Sequence, residues 1–113
     1  MHIVTTKRLQ QAAQAHQMAA KDLAAWIKVV KTSRLQNFAE IRGCFPDADN
    51  VDGFVVLNIR HNRYRLIVVV HYAKSIAEKL TQGHVYIRAF MTHHEYDRWS
   101  NLNERKRAEW LQL

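Results

Sequence analysis

Cysteine, proline and glycine are scarce in this sequence, and it has no long apolar run. The 113 residues include one cysteine (Cys44), one proline and three glycines. A single cysteine excludes an internal disulfide and a cysteine-rich zinc site. No apolar run approaches the about 18 residues of a membrane span, and the start, MHIVTTKRLQQ, lacks the apolar core of a secretory signal. We therefore expect one globular domain in a reducing cytoplasm, without membrane association.

Acidic residues are also in the minority. Lys and Arg number 17 against 10 Asp and Glu, which gives a formal net charge of +7. A small protein with this balance attracts polyanions, and nucleic acid is the commonest polyanion in a cytoplasm. Charge alone leaves two alternatives open: an acidic protein partner, and a basic surface that is merely solvated.

The N-terminal part has helical patterning. Thr5 or Thr6 is placed to cap a helix through KRLQQAAQAHQ. In the next segment, KDLAAWIKVVK, apolar residues recur at helical spacing: Leu23, Trp26, Ile27 and Val30. We expect these two helices to form a hairpin that packs on another layer. The segment CFPDADNVDG, which holds the single proline, predicts a loop.

The second half has strand patterning. The runs FVVLNIR, YRLIVVVHY and HVYIRAFMT are rich in β-branched residues, and Asn62, between the first two, suits a left-handed turn position. Strict alternation divides the runs into two faces. The first face is apolar: Val55, Leu57, Ile59, Leu66, Val68, Val70, Tyr72, Val85, Ile87, Ala89 and Met91. The second is mixed: Asn58, Arg60, Arg65, Ile67, Val69, His71, Tyr86, Arg88, Phe90 and Thr92.

The arginines on this second face need a partner, because burying an unpaired guanidinium is costly. If the three runs pair as a meander, Arg65 and Arg88 share one surface. That surface then requires a carboxylate, a phosphate ligand or water. A plainly solvated sheet face is the alternative, and the Val, Ile and Phe residues around the arginines weaken it.

The stretch THHEYD follows the last strand. Thr92 and Glu95 have the spacing of a capping box, which predicts that a C-terminal helix begins here. His93 and Tyr96 are groups that transfer protons. The histidines lack the spacing of metal ligands and have no cysteine nearby, so we expect no metal site. Proton-transfer groups beside arginines are the parts required for phosphodiester cleavage.

Several stretches, taken in order, resemble the HigB-type toxins of bacterial toxin–antitoxin pairs, which have a RelE-like fold. They are MHIVTTKRLQQAA, AAWIKVVK, FAEIRGCFPDADNVDG, VVLNIRHNRYRLIVVVHYA and VYIRAFMTHHEYDRW. The resemblance covers residues 1–99 as the toxin domain and leaves 100–113 as a C-terminal tail in which a helix is one option. It implies an α+β fold with two N-terminal helices packed on a small, twisted, mostly antiparallel sheet, followed by a short C-terminal helix.

The resemblance also implies a function. Family members are similar to mRNA interferases, endoribonucleases that cut mRNA on the ribosome and are neutralised by a cognate HigA-type helix-turn-helix antitoxin. The expected reaction is attack of an RNA 2′-hydroxyl on the adjacent phosphorus, without a metal or other cofactor. The alternative is a non-catalytic RNA- or ribosome-binding module that uses the same basic sheet face.

Carried over residue by residue, the resemblance implies four catalytic side chains: Arg65, Arg88, His93 and Tyr96. Arg65 would contact the scissile phosphate, His93 would act as acid or base, and Tyr96 would transfer a proton or stack on a base. Further RNA contacts are expected from Asn58, Arg60, His61, Asn62, Arg63 and His94. In this set Arg60 and His61 replace the usual turn glycines, and His94 stands at a variable place of the motif.

Overall fold

A computed structural model of the chain describes residues 1–111. Its helices are α1 (Thr6–Ala15), α2 (Ala20–Thr32), α3 (Phe38–Cys44), α4 (His93–Ser100) and α5 (Glu104–Trp110), with a short 3-10 helix at Gln17–Ala19. Its strands are β1 (His2–Val4), β2 (Asp49–Val51), β3 (Phe54–Ile59), β4 (Tyr64–His71), β5 (Ser75–Ile76), β6 (Lys79–Leu80) and β7 (His84–Thr92). None of the helices within residues 1–111 has the length and apolar content needed to cross a membrane.

The main sheet has five strands in the order β1-β7-β4-β3-β2. Strand β1 runs parallel to β7, and the other neighbours are antiparallel. The predicted α+β class, with two N-terminal helices on a mostly antiparallel sheet, is confirmed. The prediction missed edge strands β1 and β2, and β2 lies in the segment expected to be a loop. The predicted short C-terminal helix is α4, and a second helix, α5, lies in the tail, where a helix was one option.

Helices α1 and α2 cover the first face of the sheet, as their apolar spacing predicts. Leu9 of α1 and Leu23, Trp26 and Val30 of α2 are buried against the sheet residues Val55, Leu57, Leu66, Val68, Val85 and Ile87. Full burial of each such side chain contributes about 1.5–3 kcal/mol, so this layer is the main source of stability. Thr5 occupies the N-cap position of α1, but it has a φ of 70° and its side chain makes no capping hydrogen bond, so the predicted cap is wrong.

A β-bulge in β7 changes the two faces predicted for the sheet. Ile67 pairs with Ala89 and Val68 with Ile87, so Arg88 is the extra residue. A bulge interrupts the alternation of side chains, because two residues of one strand oppose one residue of the next. Ala89 and Met91 consequently pack on the second face. Their assignment to the first face was wrong, and so was that of Phe90 to the second, since Phe90 packs against the core under α1 and α2.

The two helices after β7, α4 and α5, cover the middle of the second face. Trp99 of α4 and Leu111, which follows α5, are buried in an apolar cluster with Val56, Ile67 and Met91. We refer to these five residues as the tail cluster. The division of the chain into a toxin domain (1–99) and a tail (100–113) remains a prediction. The last two residues of that tail, 112–113, lie outside the described part of the chain.

Arg107 holds the tail in place. Its Nε and Nη2 donate to the two carboxylate oxygens of Asp52 at 2.5 and 3.0 Å, and its Nη1 donates to the backbone carbonyls of Ser100 and Leu102. The indole Nε1 of Trp99 donates to the Arg107 carbonyl at 3.1 Å. One arginine therefore links the turn between β2 and β3 to α4 and α5, and this fixes what lies over the sheet.

Candidate active site

The turn between β3 and β4 begins the site. Arg60 and His61 have φ values of 52° and 58°, whereas Asn62 is not in the left-handed region. The prediction that Asn62 takes the left-handed position is therefore wrong. A non-glycine residue in that region raises the conformational energy of the folded chain by about 1–2 kcal/mol. The guanidinium of Arg60 donates to the Met18 carbonyl at 2.7 Å, and this bond ties the turn to the 3-10 helix.

The guanidinium of Arg65 is held by this turn. Its Nη1 donates to the carbonyls of Asn62 at 2.9 Å and Tyr64 at 3.2 Å, and its Nη2 donates to Oδ1 of Asn62 at 3.0 Å. Arg65 is 8% exposed and is the buried charged residue of the described chain. No carboxylate of residues 1–111 lies within 4.0 Å of it. A guanidinium has five N–H donors, so Nε–H and one Nη2 hydrogen keep no partner among the described residues.

Helix α4 brings Tyr96 and His93 to the same turn. The capping box predicted at its start is confirmed: Thr92 N–H donates to Glu95 Oε1 at 3.0 Å, and Glu95 N–H donates to Thr92 Oγ1 at 3.3 Å. The backbone N–H of His93 donates to the Arg63 carbonyl at 2.9 Å. These bonds fix the first turn of α4 against the β3–β4 turn.

Tyr96 and Arg65 are in direct contact. The Arg65 Cζ lies 5.3 Å from the centre of the Tyr96 ring, within the range of a cation–π interaction. Burial raises the pKa of the Tyr96 phenol, the carboxylate of Asp49 raises it further, and the Arg65 charge opposes both. The phenol therefore stays protonated throughout the neutral range and can donate a proton.

His93 is exposed at the rim of the site. Its Nε2 lies 3.4 Å from an oxygen of Asp97, one turn further along α4. A carboxylate at that distance can hold the imidazole ring in one orientation. His94 is also exposed, and its ring lies 6.3 Å from that of His93.

The structure brings together most of the residues predicted for the site, but not all. Asn58 is the direct cross-strand partner of Arg65, and Met91 is its partner on the other side. Arg88 lies three residues from Met91, about 10 Å along β7 at about 3.3 Å per residue, and the tail cluster fills the face between. Arg65 and Arg88 therefore belong to separate groups on the same face.

A second group of predicted RNA contacts faces a different groove. Asn58, Arg60 and His61 line an open cleft of about 510 Å³ together with Asp22 and Trp26 of α2. Arg63 and Asn62 are exposed in the turn itself. The turn therefore presents side chains in two directions, toward α4 and toward α2.

Two carboxylates near Tyr96 were missed by the sequence analysis. Asp97 is four residues after His93, a spacing that places both side chains on one face of a helix. The sequence could therefore have predicted this pair. Asp49 acts on Tyr96 from β2, a strand that the sequence did not predict. Within residues 1–111, no group of three or more His, Cys, Asp or Glu is placed to hold a metal ion.

Comparison with known proteins identifies the family of this chain. The family model described as HigB_toxin, RelE-like toxic component of a toxin–antitoxin system, matches residues 19–99. The mRNA interferase toxin HigB of Escherichia coli K12 is 27% identical over 109 residues, which cover 94% of this chain and 97% of that protein. The mRNA interferase HigB proteins of Escherichia coli O157:H7 and Shigella flexneri match to the same extent. The chain belongs to the HigB toxin family, the RelE-like toxic component of a toxin–antitoxin system.

Proposed function

We propose that this toxin is an mRNA interferase, an endoribonuclease that cleaves mRNA on the ribosome without a metal ion. The observation that carries the proposal is Arg65, a buried cation held by neutral carbonyl and amide oxygens. Such a group keeps its full charge for an incoming anion, because no carboxylate in the described chain neutralises it. The mRNA interferase names of the similar proteins support the same reaction.

The proposed reaction begins with the RNA 2′-hydroxyl. Its oxygen bonds to the adjacent phosphorus, and the bond from phosphorus to the 5′-oxygen breaks. The products are a 2′,3′-cyclic phosphate and a 5′-hydroxyl. The nucleophile lies within the substrate, so the enzyme has only to align it and stabilise charge.

Three side chains share this work in the proposal. The Nε–H and the remaining Nη2 hydrogen of Arg65 form a fork for two phosphoryl oxygens. His93, oriented by Asp97, takes the proton of the 2′-hydroxyl. Tyr96, whose raised pKa keeps its phenol protonated, donates a proton to the leaving 5′-oxygen.

The neighbouring polar residues are proposed to bind the RNA. Arg63 lies in the turn that holds Arg65, and His94 follows His93 on α4. Asn58 pairs with Arg65 across the strands, and with Arg60 and His61 it lines the cleft toward α2. Asn62 also acts through Arg65, because its Oδ1 holds the guanidinium. Arg88 lies apart from this centre, and we assign it to RNA that flanks the cleavage position.

Two partners follow from the proposal. A toxic component of a toxin–antitoxin system has a cognate antitoxin, and we propose that it is a HigA-type protein with a helix-turn-helix domain. The ribosome, in the cytoplasm, is the proposed place where the mRNA is cut. The net charge of +7 suits both the RNA substrate and an acidic antitoxin surface.

The test is to induce the protein in a bacterium and map mRNA 5′ ends beside an Arg65→Ala strain. New ends within translated regions, absent in the variant, are expected. Growth arrest without new ends would favour a non-catalytic RNA- or ribosome-binding module. Equal cleavage by wild type and a folded Arg65→Ala variant would remove Arg65 from the mechanism.

A further inference from the structure

Three histidines lie side by side at one end of the sheet. His2 of β1 pairs with His84 of β7, and His84 pairs with His71 of β4. Residues directly opposite each other in a sheet point to the same face. All three are exposed, and they line one shallow cleft of about 320 Å³. No role in the proposed cleavage uses them.

Tyr86 extends this row toward the middle of the face. Its ring lies 4.8 Å from that of His71 and 6.1 Å from that of His84, and the His2 and His84 rings are 5.5 Å apart. The four rings form one cluster, in which His84 and Tyr86 are stacked at an interplanar angle of 26° and the other two contacts are edge-to-face. An exposed aromatic surface of this kind is what unstacked bases of single-stranded RNA bind.

Two arginines border the aromatic row. Arg88, displaced by the bulge, is exposed and lines a second cleft of about 330 Å³ with Arg8 of α1. Arg8 Nη1 donates to the carbonyls of Arg88 at 2.7 Å and Ile87 at 3.4 Å, beyond the end of β1. This leaves Nε and Nη2 of Arg8 without a hydrogen-bond partner in the described chain. Val69, which pairs with Tyr86, lines the same cleft and joins it to the row of rings.

The charge of this surface selects the kind of partner. None of the described residues that line either cleft is Asp or Glu, and Lys74 adds a further positive charge at the histidine end. A ligand with regularly spaced negative charges and flat rings matches both halves of the surface. Single-stranded RNA has both properties, whereas an acidic protein segment would use the arginines and leave the rings without a stacking partner.

We propose that this strand-end platform binds a single-stranded stretch of mRNA beside the cleavage position, with bases stacked on the rings and a phosphate between the arginines. The platform comprises His2, Arg8, His71, His84, Tyr86 and Arg88. The inference rests on the proposed function, because it takes the substrate at Arg65 to be RNA. The tail cluster separates the two regions, so the RNA passes beside α5 to reach both.

The test measures binding of a fluorescent single-stranded 12-nucleotide RNA across a series of salt concentrations. All proteins carry Arg65→Ala, so that the RNA is not cleaved. Arg88→Ala is expected to weaken binding about ten-fold and to reduce the slope of log K against log salt by about 0.7, the value for one lost phosphate contact with a single strand. Arg88→Lys keeps the charge and should keep the slope.

The rings are tested by Tyr86→Leu and His84→Ala in the same assay. Each should weaken binding by about five-fold or more with an unchanged salt slope, because stacking involves no counterion release. Lys28→Ala, on the exposed side of α2, is the charge-matched control and should bind like its parent. Arg88 is exposed, so its variants test the platform even if Tyr86→Leu fails to fold.

The outcomes separate this inference from the proposed function. Unchanged affinity and slope in Arg88→Ala and His84→Ala would overturn the platform, even where the wild type cleaves mRNA. If RNA binding depends on the platform but the wild-type protein does not cleave mRNA, the proposed ribonuclease activity is overturned and the platform is kept. Loss of antitoxin binding in these variants, with RNA binding intact, would show that the surface is a protein interface and overturn the inference.

Discussion

Replacing Arg65 by alanine separates the chemistry proposed for this side chain from its structural role. In the folded protein the guanidinium donates to Asn62 and Tyr64 and lies over the Tyr96 ring. Hydrogen bonds from a charged group contribute about 1.5–3 kcal/mol. Alanine also removes the cost of burying a cation that has no carboxylate partner, which offsets part of this loss. We therefore expect the free energy of unfolding to fall by about 1–2 kcal/mol.

A loss of that size does not unfold the protein. A domain with the usual stability of about 5–15 kcal/mol would keep at least about 3 kcal/mol, and fewer than about 1% of the molecules would be unfolded. Removing one donor that stabilises charge in a transition state lowers the rate by about 10²–10³-fold. The loss of cleavage by Arg65→Ala should therefore far exceed anything that unfolding explains.

The assay combines single-turnover cleavage of mRNA on programmed ribosomes with thermal melting of each purified variant. Arg65→Lys keeps the charge but loses the fork, so its rate should lie between those of the wild type and Arg65→Ala. Lys28→Ala removes one positive charge from α2 and serves as the control. Wild-type cleavage by a folded Arg65→Ala would refute the reasoning. An equal loss in Lys28→Ala would show that net charge, and not this site, controls the rate.

Three further perturbations test other parts of the structure. Tyr96→Phe keeps the ring and removes the proton donor, so the cleavage rate should fall at least about ten-fold. Because the pKa of the phenol is raised, deprotonation of Tyr96 should not reduce the wild-type rate below about pH 10. A fall in the pH–rate profile at lower pH that Tyr96→Phe abolishes would contradict the assignment. Gly83→Ala should lower Tm, because an added Cβ would lie 2.6 Å from the His71 carbonyl oxygen at a φ of 75°; an unchanged melt would show that the backbone relaxes freely. The ion pair with Arg107 lowers the pKa of Asp52, so the stability that this pair contributes is present above the ordinary value of 3.8 and is lost as pH falls through the lowered pKa. Arg107→Ala should therefore have a lower Tm than wild type at neutral pH, and the difference in Tm should narrow below pH 3.8. A difference in Tm that does not depend on pH would exclude the ion pair as its cause.

Local patterns in the sequence were sufficient for the parts of the fold that depend on neighbouring residues. The apolar spacing of Leu23, Trp26 and Val30 predicted the buried side of α2, because helical periodicity places such residues on one side. Thr92 and Glu95 predicted the start of α4, since a capping box involves four consecutive residues. The family resemblance pointed to the same fold class.

Features set by distant contacts were not predicted. Strand β1 has three residues and forms only because β7 offers a parallel edge. The bulge at Arg88 reversed the faces of Ala89 and Met91, because strict alternation cannot anticipate one extra residue in a ladder. Asp49, whose charge raises the pKa of Tyr96, lies in a strand that the sequence did not predict.

The sequence by itself determined that this chain is basic and that two helices, the second of them amphipathic, precede a strand-rich half. Its family resemblance led to the prediction that Arg65, His93 and Tyr96 act on RNA. The tertiary structure decided which of these meet. Arg65 and Tyr96 meet because the β3–β4 turn and the first turn of α4 are bonded through Arg63 and His93. Arg88 is separated from them because the tail cluster fills the intervening sheet. The chemistry of each side chain can be read from the sequence, whereas the distance between two side chains depends on strand register and on what packs over the sheet.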